Sequence, residues 1–189
     1  MSIMLVALDI GGVLATIDKS PLIELLGDRP ENSFFDQDFF LLERGFISPE
    51  FFLQKKCHSL KLCPKALHFS FSTMMQIPAT SFCLKYLKVP YLFASNINEM
   101  HYHNVCSHLH PPSFAVKNAH LSCRLGFLKP HAHFFWLLAN ALLLTPKQIL
   151  FIDDKKQNCE SAKNWGFKVQ WCKNVEALPS LLGTLKLLR

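Results

Sequence analysis

The stretch Leu5-Val6-Ala7-Leu8-Asp9-Ile10-Gly11-Gly12 limits what this chain can fold into more than any other segment. An unbroken apolar run reads as a strand buried on both faces of a parallel sheet, because a strand with one wet face would alternate. The run ends in a lone carboxylate, Asp9, and two glycines follow at once. They let the chain turn sharply and lie close to whatever sits beside Asp9. Ligands of open parallel sheets bind beyond the carboxyl ends of the strands, and Asp9 would sit there.

An Asp at a strand end is commonly a turn residue or a helix cap. A second strand-then-carboxylate segment gives Asp9 another meaning. Ile149-Leu150-Phe151-Ile152 ends in Asp153-Asp154, with Asn158 shortly after. Adjacent carboxylates repel each other unless a cation or a base pairs with them. If the two strands are neighbours, Asp9, Asp153 and Asp154 converge, and an oxygen-only ligand set of that kind suits Mg²⁺.

The rest of the chain alternates strand and helix signals. Ser20-Pro21 and Ser48-Pro49 are helix starts, a cap residue followed by Pro at the first helical position, and Gly27 and Gly45 are stops. No alternating strand is evident from about Ser20 to Thr80, which reads as a helical insert. Beyond it the pattern predicts a short helix over 80–87, a strand at Tyr91 to Ala94, a helix from Asn98 to His108 and a short strand at Phe114 to Val116. An apolar helix from Pro130 to Leu144, a helix ending at Trp165, a strand at Val169 and an amphipathic helix from Val175 to Leu188 follow. The expected class is α/β, a Rossmann-like doubly wound parallel sheet with an inserted helical unit.

Composition narrows the function. The 189 residues allow one core domain and a small insert, and 17 phenylalanines supply bulky core material. Seven scattered cysteines without a Cys-x-x-Cys pair indicate reduced thiols in a cytoplasm. The apolar runs are too short for a signal-peptide core or a membrane span. The net charge of +6 favours anionic partners. The lysines are dispersed, with pairs only at Lys55-Lys56 and Lys155-Lys156, so neither nucleic acid nor membrane is the expected partner.

With these segments in order, the chain resembles the haloacid dehalogenase-like (HAD) hydrolase superfamily, its small capped phosphatases in particular. The residues that carry the resemblance are Asp9-Ile10-Gly11-Gly12-Val13-Leu14, Tyr91-Leu92-Phe93-Ala94-Ser95-Asn96, Gly126-Phe127-Leu128-Lys129-Pro130, and Ile152-Asp153-Asp154 with Asn158. The resemblance implies a core domain of residues 1–16 and 80–189, a flap at Ala15 to Lys19, and a helical cap domain of residues 17–79 that selects the substrate. Asp9 would be the nucleophile carrying an aspartyl-phosphate. Mg²⁺ would be held by Asp9, the Gly11 carbonyl and Asp153, with Asp154 acting nearby. Ser95 and the Asn96 backbone N–H would bind phosphate oxygens, and Lys129 would offset the charge of both Asp9 and the phosphate. Asn158 would orient Asp153 or Lys129. The partner would be a small phosphorylated metabolite, such as a sugar phosphate, and the protein a monomer or a homodimer.

One residue departs from the family pattern. Two positions after the nucleophile these phosphatases usually carry a second Asp, the general acid for the leaving group; here stands Gly11. General acid–base help is worth ~10²–10⁴-fold, so hydrolysis of alkyl phosphates should suffer unless Asp18 or a cap histidine supplies the proton. Two other functions fit the residues: a binding or regulatory protein without turnover, and a C–halogen hydrolase that uses Asp9 without metal. Asp153-Asp154 argues against the latter, since a metal-free site gains nothing from adjacent negative charges. His101-x-His103 and His108-x-His110 either form a zinc site or lie on the surface of their helix.

Overall fold

In a computed structural model that describes residues 2–189, the strands are β1 (Leu5–Leu8), β2 (Thr16–Ile17), β3 (Met75–Gln76), β4 (Tyr91–Ser95), β5 (His120–Leu121), β6 (Ile149–Asp153) and β7 (Lys168–Trp171). Five of them form one parallel sheet in the order β5-β4-β1-β6-β7. The first apolar run is its central strand: Val6 pairs with Tyr91 on one side and Leu5 with Ile149 on the other. All four residues of β1 are at most 1% exposed, as a strand covered on both faces must be. From β1 the order runs outward through β4 to one edge and through β6 to the other. That reversal point is where a doubly wound sheet opens its crevice.

Side chains alternate across the pleat. Val6 and Leu8 face a layer that contains Tyr102, Val105, Leu178 and Leu182, from helices α5 (Glu99–Leu109) and α10 (Leu178–Thr184). Leu5 and Ala7 face Phe134, Phe135, Leu138 and Ala162, from α8 (Ala132–Asn140) and α9 (Lys156–Asn164). The short helices α6 (Ser113–Lys117) and α7 (Ser122–Leu125) flank β5.

Residues 20–72 hold α1 (Ser20–Leu26), α2 (Gln37–Glu43), α3 (Pro49–Leu60) and α4 (Pro64–Ser72) around a hydrophobic cluster of their own. Many of the phenylalanines go here: Phe34 meets Phe52 edge-on at 5.2 Å, and Phe71 packs on both. Ser48 caps α3, its hydroxyl accepting from Phe51 N at 3.2 Å, with Pro49 at the first helical position. The buried Lys56 is anchored on the Asp36 carboxylate at 2.6 Å and the Ser33 carbonyl at 2.9 Å.

Several elements differ from the sequence expectations. Phe114 to Val116 is not a strand but the body of α6, which begins directly after Pro112; the edge strand is His120–Leu121. Three apolar residues carry no period, and tertiary pairing decided between the two. The apolar helix expected over 130–144 is the shorter Ala132–Asn140; before its start, the Asn96 side chain holds the Lys129 N–H and carbonyl in a loop. Val175 to Leu188 divides into a 3₁₀ turn and α10, and 79–86 is 3₁₀ helix. The insert is not purely helical: β3 returns beside β2 as an antiparallel pair, Thr16 opposite Gln76, too short to show alternation.

Neither reading of the histidines holds for His101. It is buried, its Nε2 2.8 Å from the Phe71 carbonyl and its Nδ1 3.0 Å from Asn98 Nδ2. Burial pushes its pKa down to about 4, so it is neutral, donating from Nε2 and accepting at Nδ1. It joins α4 to α5. Among the described residues no histidine belongs to a cluster able to hold a metal.

The end of α2 is docked by a glycine that has to be one. Gly45 has φ +71°, and a Cβ there would lie 1.8 Å from the Cys123 carbonyl oxygen. Gly45→Ala is therefore expected to destabilise the protein by more than ~1 kcal/mol, the left-handed cost alone, since the backbone must also shift. A urea midpoint unchanged from wild type would contradict this contact.

Candidate active site

Four segments meet at the carboxyl end of the sheet. Asp9 follows β1, Ser95 ends β4, Asp153 ends β6, and Lys129 reaches in from the loop before α8. Asp9 Oδ1 accepts from Ile10 N at 2.7 Å, Ser95 Oγ at 2.6 Å and Lys129 Nζ at 3.0 Å. The ammonium also donates to Asp153 Oδ2 at 2.6 Å and to the Ala94 carbonyl at 2.8 Å, which uses its three protons. Asp153 is further held by Asn158 Nδ2 at 2.9 and 3.1 Å and by Lys155 N at 2.8 Å.

Asn96 has a role no sequence signal carried. Its side-chain oxygen accepts from Lys129 N at 2.7 Å and its amide donates to the Lys129 carbonyl at 3.0 Å. The residue after Ser95 thus clamps the peptide that presents the lysine.

Charge is concentrated here at low dielectric. Burial pushes the Asp9 carboxyl up to about 7, against the pull of Lys129 and with the push of Asp153. Burial alone would lower Lys129, but Asp9 and Asp153 outweigh it and hold the amine above its ordinary range. Such a group costs desolvation that its own Coulombic gain barely covers, so its retention points to function.

Of the nearby lysines only Lys129 contacts the three carboxylates, pairing with Asp9 and Asp153, which leaves the set short of cations. Asp9, Asp153 and Asp154 each offer an oxygen, all within 4.8 Å of one another. Asp154 is raised by burial and then by Asp153, and its Oδ1 is buried without a hydrogen-bond partner. An orphaned buried carboxylate oxygen in an oxygen-only cluster fits a hard divalent cation. The two glycines divide their work. Gly12, at φ +79°, leaves room where a Cβ would sit 2.5 Å from Asp154 Oδ2. Gly11 needs no left-handed backbone, and a Cβ there would meet only the Ile17 side chain, at 3.2 Å.

Lys129 also lies at the edge of a cleft of about 450 Å³ lined by Phe40, Arg44, Phe127, Leu128, Pro130 and His131. Phe40 and Arg44 come from α2 and its end, so the insert supplies one wall. A separate groove of about 500 Å³ between Ser81 and Arg189 contains none of the site residues. Asp18, a proposed proton source, is half-buried and occupied: it accepts from Ser20 N at 2.9 Å and from Gln76 Nε2 at 3.1 Å. These bonds hold its carboxyl below the usual range, which suits a cap and not a proton donor.

Fold and site together define a HAD-like hydrolase. No family model and no curated protein sequence matches the chain, but solved structures do. The HAD family enzyme BT-2542 of Bacteroides thetaiotaomicron, in complex with magnesium and inorganic phosphate, shares 25% identity at a TM-score of 0.79, over 95% of this chain and 99% of that one. A predicted HAD-like family hydrolase from Porphyromonas gingivalis gives 22% and 0.79 over 98% and 99%. The L-2-haloacid dehalogenase PA0810, at 15% and 0.64 over 90% and 84%, shares the fold alone. The chain belongs to the HAD-like superfamily. Among the described residues, no helix is long and apolar enough to cross a membrane.

Proposed function

We propose that this protein is a Mg²⁺-dependent phosphomonoesterase that hydrolyses a small phosphorylated metabolite through an aspartyl-phosphate on Asp9. The observation that carries the reading is the carboxylate cluster with its orphaned Asp154 oxygen, set against Asp9 beside Lys129 and Ser95. The dehalogenase alternative has no use for that cluster. The phosphate complex of BT-2542 supports the same choice.

Asp9 Oδ1 is engaged by three donors, whereas Oδ2 takes no hydrogen bond from a described residue, which leaves it to attack phosphorus. Lys129 sits where negative charge accumulates as the phosphoryl group arrives, and the Ser95 hydroxyl can turn from Asp9 to a phosphate oxygen. Asn96 keeps Lys129 in register and Asn158 keeps Asp153 from rotating. A divalent cation held by Asp9, Asp153, Asp154 and the Gly11 carbonyl would neutralise phosphate charge and align it with the nucleophile. Residues 17–79, with their own apolar cluster and a wall of the cleft, act as the cap that selects the substrate; residues 1–16 and 80–189 are the core. The positive net charge favours an anionic substrate, and the unpaired cysteines are in keeping with a reducing, cytoplasmic location.

The test is a panel of phosphate esters assayed with and without Mg²⁺. EDTA is expected to remove nearly all turnover and added Mg²⁺ to restore it. Turnover that survives EDTA would remove the metal from the reaction and bring back the dehalogenase reading.

A further inference from the structure

Gly11 leaves the site without a carboxylate to protonate the leaving group, and the carboxylates of the sheet are all committed to Lys129 or the cation cluster. One more carboxylate, Glu43, stands on the insert, at the helix end whose neighbouring residues line the cleft. Glu43 is the last residue of α2, three positions after Phe40 and one before Arg44, the two residues from this helix end that line the cleft with Lys129. A spacing of three or four residues puts Phe40, Glu43 and Arg44 on one side of a helix.

Its backbone is fixed to the phosphate-side loops from both directions. The Ser122 hydroxyl donates to the Glu43 carbonyl at 2.6 Å while accepting from Ile97 N at 3.0 Å, two residues beyond Ser95. Arg44 Nε donates to the Gly126 carbonyl at 2.8 Å, three residues before Lys129. Gly45 closes on Cys123 so tightly that no side chain fits. The Glu43 carboxyl itself makes no hydrogen bond or ion pair with a described residue. The charges that act on it are Lys155 and Lys129, the latter the ammonium bound to Asp9. A rigidly mounted, unengaged and partly buried acid within electrostatic reach of the nucleophile's lysine has no structural duty that these contacts reveal.

We propose that Glu43 is the proton donor and acceptor of the reaction, replacing from the cap the carboxylate absent at position 11. The inference rests on the phosphatase reading above. In the first step Asp9 Oδ2 forms a bond to phosphorus, the ester P–O bond breaks, and the Glu43 carboxyl proton goes to the departing oxygen. In the second, the Glu43 carboxylate takes a proton from water as the water oxygen bonds to phosphorus. The Asp9–phosphorus bond breaks, so Asp9 and the protonated Glu43 are both regenerated. Burial pushes the Glu43 carboxyl above its usual range, with Lys155 and Lys129 pulling back only in part, which suits an acid that must hold a proton before transfer. A cap-borne acid would also couple protonation to the docking of α2, so that chemistry waits for a closed cleft.

The experiment compares wild type with Glu43→Gln in log kcat/KM against leaving-group pKa, from dinitrophenyl phosphate to glycerol phosphate, with Mg²⁺ present. The expected result is a loss of ~10²-fold or more on alkyl esters with the dinitrophenyl ester little changed, so that the variant's line is steeper. On the dinitrophenyl ester the variant's kcat should fall, with a burst of phenol equal to the enzyme present, because hydrolysis of the intermediate still needs the base. Gly11→Asp added to Glu43→Gln should flatten the line again; the ordinary backbone at Gly11 accepts a side chain if the exposed Ile17 gives way slightly. Parallel lines for wild type and Glu43→Gln, or no loss at all, would overturn the role of Glu43 while leaving the phosphatase reading intact. Phosphate release that persists in Asp9→Asn would instead overturn the reading on which it rests, and a wild type inert on the whole panel would overturn both.

Discussion

Asp9→Asn is expected to lower phosphate release by at least ~10⁴-fold while the protein stays folded, since a removed nucleophile leaves only binding and electrostatic effects behind. The change is close to isosteric. The amide oxygen can keep the bonds from Ile10 N and Ser95 Oγ, and Lys129 retains Asp153 at 2.6 Å and the Ala94 carbonyl at 2.8 Å. One of two buried carboxylates competing for a single ammonium is removed, so repulsion between Asp9 and Asp153 falls. The thermal midpoint should hold or rise as activity disappears. A midpoint that drops with the activity would mean that Asp9 holds the sheet's end together and does not act on phosphorus.

Lys129→Met is expected to cost both activity and stability, about 3–5 kcal/mol of the latter, because it strips the cation from two buried carboxylates. The volume is nearly conserved, so the penalty is electrostatic: Asp9 loses a partner at 3.0 Å and Asp153 one at 2.6 Å. The check is a double-mutant cycle in urea. Asp153→Asn alone should destabilise, and in the Lys129→Met background it should restore part of what was lost, giving a coupling energy well above the ~0.5 kcal/mol typical of independent sites. Additive losses would show that the lysine and the aspartate do not share a charge network.

The sequence and the structure divide the explanation by distance along the chain. Leu5 to Leu8 and Ile149 to Ile152 announce buried strands because apolarity without alternation is a local property, and a carboxylate at the end of each is visible in the same few residues. Phe114 to Val116 shows where local pattern stops: three apolar residues fit either period, and the edge strand formed instead at His120–Leu121, where Ala94 and Ser95 offer backbone partners. Asn96 reads as a residue at the start of a helix, yet its amide spends both its functions on a peptide 33 residues away.

The helical insert follows the same division. Ser-Pro starts and glycine stops made its helices recognisable, but not the return strand Met75–Gln76, whose two residues exist as a strand only because Thr16 and Ile17 lie beside them. His101 carries no sign that it will be buried against the Phe71 carbonyl. Nothing near Glu43 in sequence marks it either, because what acts on it, Ser122, Lys129 and Lys155, lies some 80 residues or more further on.

By itself, then, the sequence determined the strands of the sheet's centre, the carboxylates at their ends and the helical character of the insert. Each of these depends on hydrophobic period and chain stiffness within a few residues. Only the tertiary structure decided which carboxylates share Lys129, which glycine must lack a side chain, and which helix end looks into the cleft. Those outcomes depend on burial and on charges brought within a few ångströms by parallel pairing of strands far apart in the chain.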